Sequence, residues 1–422
     1  VSECVEDGAA YLREHAQKSS GAGAASLHAA ALDDGARQKT RPDIAILLER
    51  FGAGGVERVA CLLANGLARH GMRVEFIVLA DAGPVRDILD PAIQVTILGK
   101  TRSGPRGLRL LRAIPAIARY LGRRRPHIFL SPGNHTHVAA AAAHRLTGTP
   151  DIALVAKVTN PLLKAHHPRW RRALTRAFYR RAFARASMIL VLSRKGVQRM
   201  GAIDPALVAR TRFVHNPYVT AAMAPAPAIA SPSGPPVILA AGRLSTQKNH
   251  AMLLQAAAAI ADRPWRIRFA GTGPLEADLR AQAAALGLAE RVSFAGFVRD
   301  MAPEYRQAAV LALPSLWEDL PATMIEALAC GCPVVATACS EAMVSFLEET
   351  GATPPVQTGD VAGFARLLAA TLDRRPAPIE PALIAPYGVG AAVEHHLATL
   401  QPLLAQARES RPAFPGDLRR AA

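Results

Sequence analysis

The stretch Leu313–Thr337, LPSLWEDLPATMIEALACGCPVVAT, decides how this 422-residue chain is read. It predicts the end of a strand (Val310 to Leu313), a short loop, a helix, and a second strand (Pro333 to Ala336). Pro314 and Ser315 open the loop. Met324, Ile325, Leu328 and Ala329 put apolar residues at helical spacing, and Gly331 stops the helix. Two carboxylates, Glu318 and Glu326, stand with seven residues between them, one in the loop and one about a turn into the helix. Both can face the crevice at the carboxyl end of the strand, where open α/β sheets bind ligands. The amides between them would turn their dipoles toward an anion. Carboxylates for sugar hydroxyls beside amides for a phosphate suit a nucleotide-sugar ligand.

Working outward, Val237 to Ala241 predicts a buried strand followed by Gly242-Arg243-Leu244 and then Lys248-Asn249-His250, with a helix to Ala261. Arg243 at the strand end and Lys248 at the helix start form a pair of cations able to clamp a diphosphate. Ile267 to Ala270 is the next strand. The turn Gly271-Thr272-Gly273-Pro274 after it is not a dinucleotide fingerprint, because Glu276 stands where a third glycine is needed. Val292 to Gly296 leads into Phe297-Val298, a helix runs from Gly359-Asp360 through Leu372, and a last helix covers Ala391–Ala407.

In the first half, Ile44 to Leu48 predicts a strand, Gly52, Gly54 and Gly55 a turn, Val56 to Arg69 a helix ended by Gly71, and Val74 to Leu79 a second strand. This is a βαβ unit. Residues 102–126 predict a basic helix that Pro115 kinks or breaks. Further strands are expected at His127–Leu130, Ile152–Val158 and Met188–Leu192, with the loop Ser131–Thr136 after the first of them. Arg169–Arg185, RWRRALTRAFYRRAFAR, holds seven arginines, and Trp170, Leu174 and Phe178 share one helix face. Such a helix either lies on anionic lipid or buries its aromatics in an ordinary core.

These motifs together resemble the retaining "group 1", or family 4, glycosyltransferases of GT-B fold. Glu318 through Glu326 with Gly331-Cys332-Pro333-Val334-Val335-Ala336 is similar to their E-x7-E signature, Gly242-Arg243-Leu244…Lys248-Asn249 to their G-R-L…K-N motif, and Phe51–Arg58, FGAGGVER, to their GGxER loop. Gly271–Pro274 resembles their G-x-G-P turn, and His215-Asn216-Pro217 the turn closing their first domain. The resemblance spans roughly residues 42–406. It implies an α/β protein with two doubly wound Rossmann-like domains facing across a cleft: 42–218 on the acceptor side and 237–385 for the donor. The Pro/Ala/Ser-rich linker 219–236 joins them, and a C-terminal segment, 386–422, crosses back through a helix and ends in a frayed tail. Residues 1–41 are read as a mobile extension.

By the same resemblance, a hexose would move from a nucleotide diphosphate sugar, with UDP the commonest carrier, to a glycan or lipid-linked acceptor. Such enzymes build bacterial cell-surface polysaccharide or lipopolysaccharide. Catalytic roles are implied for Glu318, Arg243 and Lys248, and donor contacts for Gly54, Gly55, Arg243, Lys248, Val298, Glu318, Leu320 and Glu326. The family places a His or polar side chain of the Ser131–Thr136 loop near the sugar, here Asn134 or His135. No metal and no tightly bound cofactor is expected. The chain departs from the pattern at Asp319-Leu320-Pro321, where relatives carry G-F-G, and at Cys339-Ser340-Glu341-Ala342, where they carry a glycine-rich turn. Asp319 is expected to point away from the diphosphate, and Pro321 removes one amide donor.

Composition agrees with two domains, and no apolar run in the sequence reaches a membrane-spanning length. The first 25 residues carry no secretory pattern, and the five cysteines no disulfide or metal spacing, so a cytoplasmic site, peripheral on the inner membrane face, is expected. Residues 1–230 carry 34 Lys/Arg against 15 Asp/Glu, while residues 231–422 carry 16 against 18. That asymmetry asks for an anionic partner of the first half. A phospholipid surface through 169–185 fits, whereas nucleic acid is not expected without a helix-turn-helix, zinc or RNP motif. The rival readings are a sugar-nucleotide epimerase, a phosphorylase, and a non-catalytic membrane scaffold of the same fold.

Overall fold

Every strand in the described residues runs parallel to its neighbours. The computed structural model describes residues 41–99, 104–163, 167–223 and 234–409, with side chains through 406. The expected N-terminal extension, most of the expected linker, the tail beyond 409 and Cys4 lie outside these residues.

The first sheet is built from β1 (Ile44–Leu48), β2 (Val74–Val78), β3 (Gln94–Ile97), β4 (Ile128–Ser131), β5 (Ala153–Val158), β6 (Met188–Val191) and β7 (Thr211–Phe213), in the order 3-2-1-4-5-6-7. Its helices are α1 (Gly55–Arg69), α2 (Arg106–Arg124), α3 (His137–Thr147), α4 (Arg169–Phe183) and α5 (Arg194–Gly201). The second sheet holds β8 (Val237–Ala241), β9 (Arg266–Ala270), β10 (Val292–Gly296), β11 (Val310–Leu313) and β12 (Val334–Ala336), in the order 10-9-8-11-12. Around it run α6 (His250–Ala258), α7 (Glu276–Ala285), α8 (Ala302–Gln307), α9 (Ala322–Ala329), α10 (Glu341–Glu349) and α11 (Val361–Asp373), followed by α12 (Pro381–Ile384) and α13 (Val389–Glu409).

The continuous apolar runs of β1, β8 and β11 reflect burial on both faces, as a parallel sheet covered by helices requires. Ile44, Ile46 and Leu48 face one core with α1 and α13, while Ala45 and Leu47 face the other with α2 and α3. In the second sheet Leu239 and Ala241 point one way, Ile238 and Ala240 the other. Strand order reverses between β1 and β4 and again between β8 and β11, and a ligand crevice opens at such a reversal. The loops singled out from the sequence, 49–55, 131–136, 242–249 and 314–321, leave the carboxyl ends of those four strands.

Two segments connect the lobes side by side. Tyr218 N–H and Val219 N–H both donate to Tyr387 O at 3.0 Å, and Val389 N–H donates to Val219 O at 3.0 Å. Helix α13 then packs on the first sheet, with Val393, Leu400 and Leu404 in its core. An added Cβ on Gly66 would lie 2.3 Å from Val393 Cγ2, so glycine is what lets α1 and α13 approach this closely.

Several expectations need correction. Helix α2 continues through Pro115, so the chain does not break there; that face is exposed, and the carbonyl left without an amide donor can be hydrated. Strands β3 and β7 and helices α3, α5, α8, α10 and α12 were not anticipated. Helix α10 begins where the glycine-rich turn was missing, capped by Ser340 Oγ, which accepts from Met343 N–H at 3.1 Å.

Candidate active site

The loop after β8 is held by the loop after β9. Gly242 N–H donates to Ala270 O at 2.9 Å, and Leu244 N–H donates to Thr272 O at 3.0 Å. A Cβ on Gly273 would stand 2.1 Å from Leu244 O. The G-T-G-P turn is therefore a buttress, pressed backbone to backbone against the segment that carries Arg243. That side chain is exposed and has no hydrogen bond or ion pair among the described residues. Gly242 adopts φ +122°, a region that disfavours any side chain.

Lys248 reaches across the reversal point: its Nζ lies 2.8 Å from Glu318 Oε1. Both groups are largely withdrawn from water, with side-chain exposures of 15% and 9%. The loops carrying them are stitched together. Leu316 N–H donates to Gln247 O at 2.8 Å, and Gln247 Nε2 donates to Trp317 O at 2.9 Å. Ser315 Oγ sits 3.4 Å from Glu318 Oε1, and Thr337 Oγ1 donates to Ser315 O at 2.6 Å. A carboxylate at the end of β11 and cations at and beyond the end of β8 thus share one crevice.

Glu326, on the buried face of α9, is already paired. Tyr305 Oη donates to its Oε2 at 2.8 Å, and Arg58 of the first lobe holds Oε1. Burial, reinforced by Glu326, pushes the Tyr305 hydroxyl well above its ordinary pKa, so it remains a donor. Asp319 does turn away from Lys248. Buried, with 2% exposure, it accepts from Arg199 of the first lobe and lies 3.4 Å from Ser193 Oγ. Burial raises its pKa, an effect that Arg199 opposes. The Asp319 carbonyl accepts from Ser340 Oγ at 2.6 Å, and the Leu320 carbonyl accepts from Tyr218 Oη at 3.1 Å. Pro321 caps α9, where a missing amide hydrogen has no helical partner to lose. Val298 is half-buried against the second lobe's core.

On the first lobe, the GGVER loop has a clear architecture. A Cβ on Gly54 would fall 2.2 Å from Glu57 Oε2, so glycine lets that carboxylate fold back over the turn. Arg106 NH2 meets Glu57 Oε1 at 2.9 Å, and Arg106 Nε meets Glu49 Oε2 at 2.6 Å. Burial alone would raise the Glu49 pKa; Arg106 and Arg109 outweigh it and hold the carboxyl low. Gly55 begins α1 with open space where a Cβ would be.

The two polar residues proposed for the Ser131–Thr136 loop part company. Asn134 joins that loop to the end of β5: its Nδ2 donates to Asn160 O at 2.8 Å, and its Oδ1 accepts from Thr159 N–H at 3.0 Å. His135 keeps a buried Nε2 with no hydrogen-bond partner. Burial, with Arg106 and Arg243 adding to it, lowers its pKa to about 4, so the ring is neutral at pH 7. The sequence reading missed Arg58, Arg199 and Tyr305. Only Arg58 lay inside a quoted motif.

Two parallel-sheet Rossmann-like lobes with basic and acidic groups converging at the strand reversals define the GT-B architecture. The structure of Anabaena Alr3699/HepE in complex with UDP and glucose superposes with a TM-score of 0.63 at 18% identity, over 89% of this chain and all of that one. Residues 235–374 match the family model described as glycosyl transferases group 1, and residues 54–218 match the glycosyl transferase 4-like domain, together 305 of the 422 residues. The chain belongs to the group 1 glycosyltransferases. Among characterised relatives, 2-deoxystreptamine glucosyltransferase of Streptomyces kanamyceticus is 35% identical over 153 residues, covering 35% of this chain and 38% of that protein. The lipopolysaccharide core biosynthesis mannosyltransferase LpsB of Rhizobium meliloti is 34% identical over 145 residues, covering 32% and 41%. Each of these alignments thus spans less than half of the relative's own length.

Proposed function

We propose that the protein is a retaining hexosyltransferase that uses a nucleotide diphosphate sugar, with UDP the favoured carrier, and a glycan or lipid-linked acceptor of cell-surface polysaccharide or lipopolysaccharide synthesis. The observation that carries this reading is the Lys248 Nζ–Glu318 Oε1 pair at 2.8 Å, set at the β8/β11 reversal beside the unpaired Arg243. Arg243 and Lys248 receive the diphosphate, and Lys248 exchanges Glu318 for a phosphate oxygen. Glu318 is then free to accept from sugar hydroxyls. As the bond from the anomeric carbon to the phosphate breaks, charge gathers on the leaving diphosphate, and two preorganised cations stabilise it there. In the retaining course that the family resemblance implies, the acceptor hydroxyl attacks from the face the diphosphate leaves and gives its proton to a phosphate oxygen.

Glu326 is assigned to the ribose hydroxyls, for which Arg58 must yield one of its oxygens. Leu320 and Val298 contribute backbone to the donor pocket, and the amides of Gly54 and Gly55 complete it from the first lobe. His135, neutral and with Nε2 unpartnered, is the residue of its loop best suited to a sugar or acceptor hydroxyl; Asn134 holds the loop's shape. The name of the Anabaena structure records UDP and glucose bound to that protein, which supports UDP as the carrier here. The domain limits 42–218 and 237–385 and a cytoplasmic, membrane-peripheral site belong to the same proposal.

The test is thermal denaturation of the protein with UDP, GDP, ADP and their sugar conjugates. A ligand at about 100 times its Kd stabilises by about 2.7 kcal/mol, a shift that is easily seen. One nucleotide should raise the midpoint, and Arg243→Ala should abolish that response without lowering the midpoint of the free protein. Lys248→Ala should cut turnover far more than stability. No response to any nucleotide would sink the reading and favour a non-catalytic scaffold.

A further inference from the structure

Helix α4 is the least covered element of the first lobe. It is fixed by one face only, through Tyr179 and Phe183, whose rings stack with centroids 5.5 Å apart, and Phe183 packs against His137 of α3 at 5.3 Å. Its opposite face carries Trp170, Leu174 and Phe178 at 66%, 63% and 50% exposure. At about 100° per residue these three, with Ala173 and Ala177, form one apolar stripe. The alternative expectation, that Trp170 and Phe178 enter the core, is excluded by their exposure.

Arg171 borders the stripe on one side and Arg169 and Arg180 on the other, while Arg172 and Arg176 lie on the inward face with Tyr179 and Phe183. Arg169, Arg171, Arg172, Arg176, Arg180 and Arg181 lie on α4, and none has an ion-pair partner among the described residues. The charge extends beyond one helix: residues 91–203 hold 22 Lys/Arg and a single acid, Asp151, which is paired with Arg125. Helices α2 and α3, packed beside one another with α4 next to α3, also expose Leu108, Leu111 and Leu146.

We infer that α4 docks the first lobe on an anionic lipid bilayer. Trp170, Leu174 and Phe178 enter the boundary between headgroups and acyl chains, while the flanking arginines pair with lipid phosphates. The combination selects lipid over nucleic acid. A polyanion in water would use the arginines but gives three adjacent large apolar side chains nothing to bury against. The position also suits the proposed transfer to a lipid-linked acceptor, on which this inference draws but does not depend. Arg172 of α4 lines a cavity of about 190 Å³ walled by Leu162, Val191, Met200 and Ile203, and Asp319, next to Glu318, lines it too. That cavity opens on the inward face of α4, opposite the stripe.

The experiment is flotation of the full chain with vesicles of phosphatidylcholine alone and of three parts phosphatidylcholine to one part phosphatidylglycerol. Binding is expected only to the anionic vesicles. A triple variant, Trp170→Ser, Leu174→Ser, Phe178→Ser, should weaken it at least tenfold, and so should Arg169→Gln, Arg171→Gln, Arg180→Gln. Circular dichroism and the nucleotide-induced thermal shift should match those of the parent chain in both, which separates failure here from failure of the transferase reading. Parent chain that stays unbound with anionic vesicles, or an apolar triple variant that binds as well as the parent, overturns the inference. A parent dimer that the apolar variant converts to monomer, without lipid binding by either, would assign the face to a second copy. Duplex DNA binding by the parent that the apolar variant retains in full would assign the charge to nucleic acid.

Discussion

Lys157 offers the sharpest test of the fold, because its charge is set by the packing of a helix more than 230 residues away. It lies on β5 with 1% exposure, and its Nζ is 3.3 Å from Nε2 of His396 on α13, a residue with no exposure at all. His396 Nδ1 lies 2.8 Å from Ala392 O, so Nδ1 donates there and Nε2 accepts from the lysine. Burial lowers the Lys157 pKa from its ordinary 10.5 to about 7. Between those values the unfolded chain carries a proton that the folded chain lacks, so stability rises with pH across that window. The buried amine therefore costs about 4 kcal/mol at pH 7 and about 2 kcal/mol at pH 9. Lys157→Met removes that cost but leaves His396 Nε2 unpaired, a loss of about 1–3 kcal/mol. The variant should be more stable than the parent by about 1–3 kcal/mol at pH 7, and the advantage should shrink by about 2 kcal/mol at pH 9. Burial holds His215, His395 and His396 below the ordinary histidine range, so all three stay neutral throughout and cancel from the comparison. Urea unfolding of both chains at pH 7, 8 and 9 measures the difference. A difference that does not change with pH would refute the reasoning, since it would mean that Lys157 keeps its ordinary pKa in the folded chain.

Two further predictions follow from the site. Arg58→Ala strands Glu326, whose side chain is 5% exposed, against Tyr305 alone and should lower stability by on the order of 3 kcal/mol. Adding Glu326→Gln should restore part of that loss, and a double-mutant cycle that came out strictly additive would mean the two residues do not interact. The glycines Gly54 and Gly273 should separate by what an added Cβ meets. Gly273→Ala collides with the backbone of Leu244 and should cost about 1–3 kcal/mol and weaken nucleotide binding. Gly54→Ala meets only the movable end of Glu57 and should cost under about 1 kcal/mol. Equal losses in the two variants, read as denaturation midpoints, would be inconsistent with this distinction.

The sequence announced its parallel sheets wherever a strand is buried on both faces, because an apolar run such as Ile44–Leu48 leaves no other economical placement. Strand β3 escaped for the converse reason: Gln94, Val95 and Thr96 are only half-buried at a sheet edge, and Ile97 is 56% exposed. Helix α4 shows how far periodicity reaches. Trp170, Leu174 and Phe178 line one face and Tyr179 and Phe183 the other, so amphipathic spacing predicts the helix without saying which face is inward. The candidate site divides along the same physical line. Arg243, Lys248 and Glu318 were readable as candidates because each lies in a loop that leaves a buried strand, and such a loop is a local property of the chain. Their neighbours were not. Arg58 meets Glu326 across 268 residues and Arg199 meets Asp319 across 120, and no residue spacing encodes which surface arginine the opposite lobe presents. Those two pairs explain something the motif alone leaves puzzling. An aspartate beside the proposed donor-binding carboxylate would repel the proposed diphosphate, yet here Arg199 and Ser193 draw it into the lobe interface, away from the Lys248–Glu318 pair.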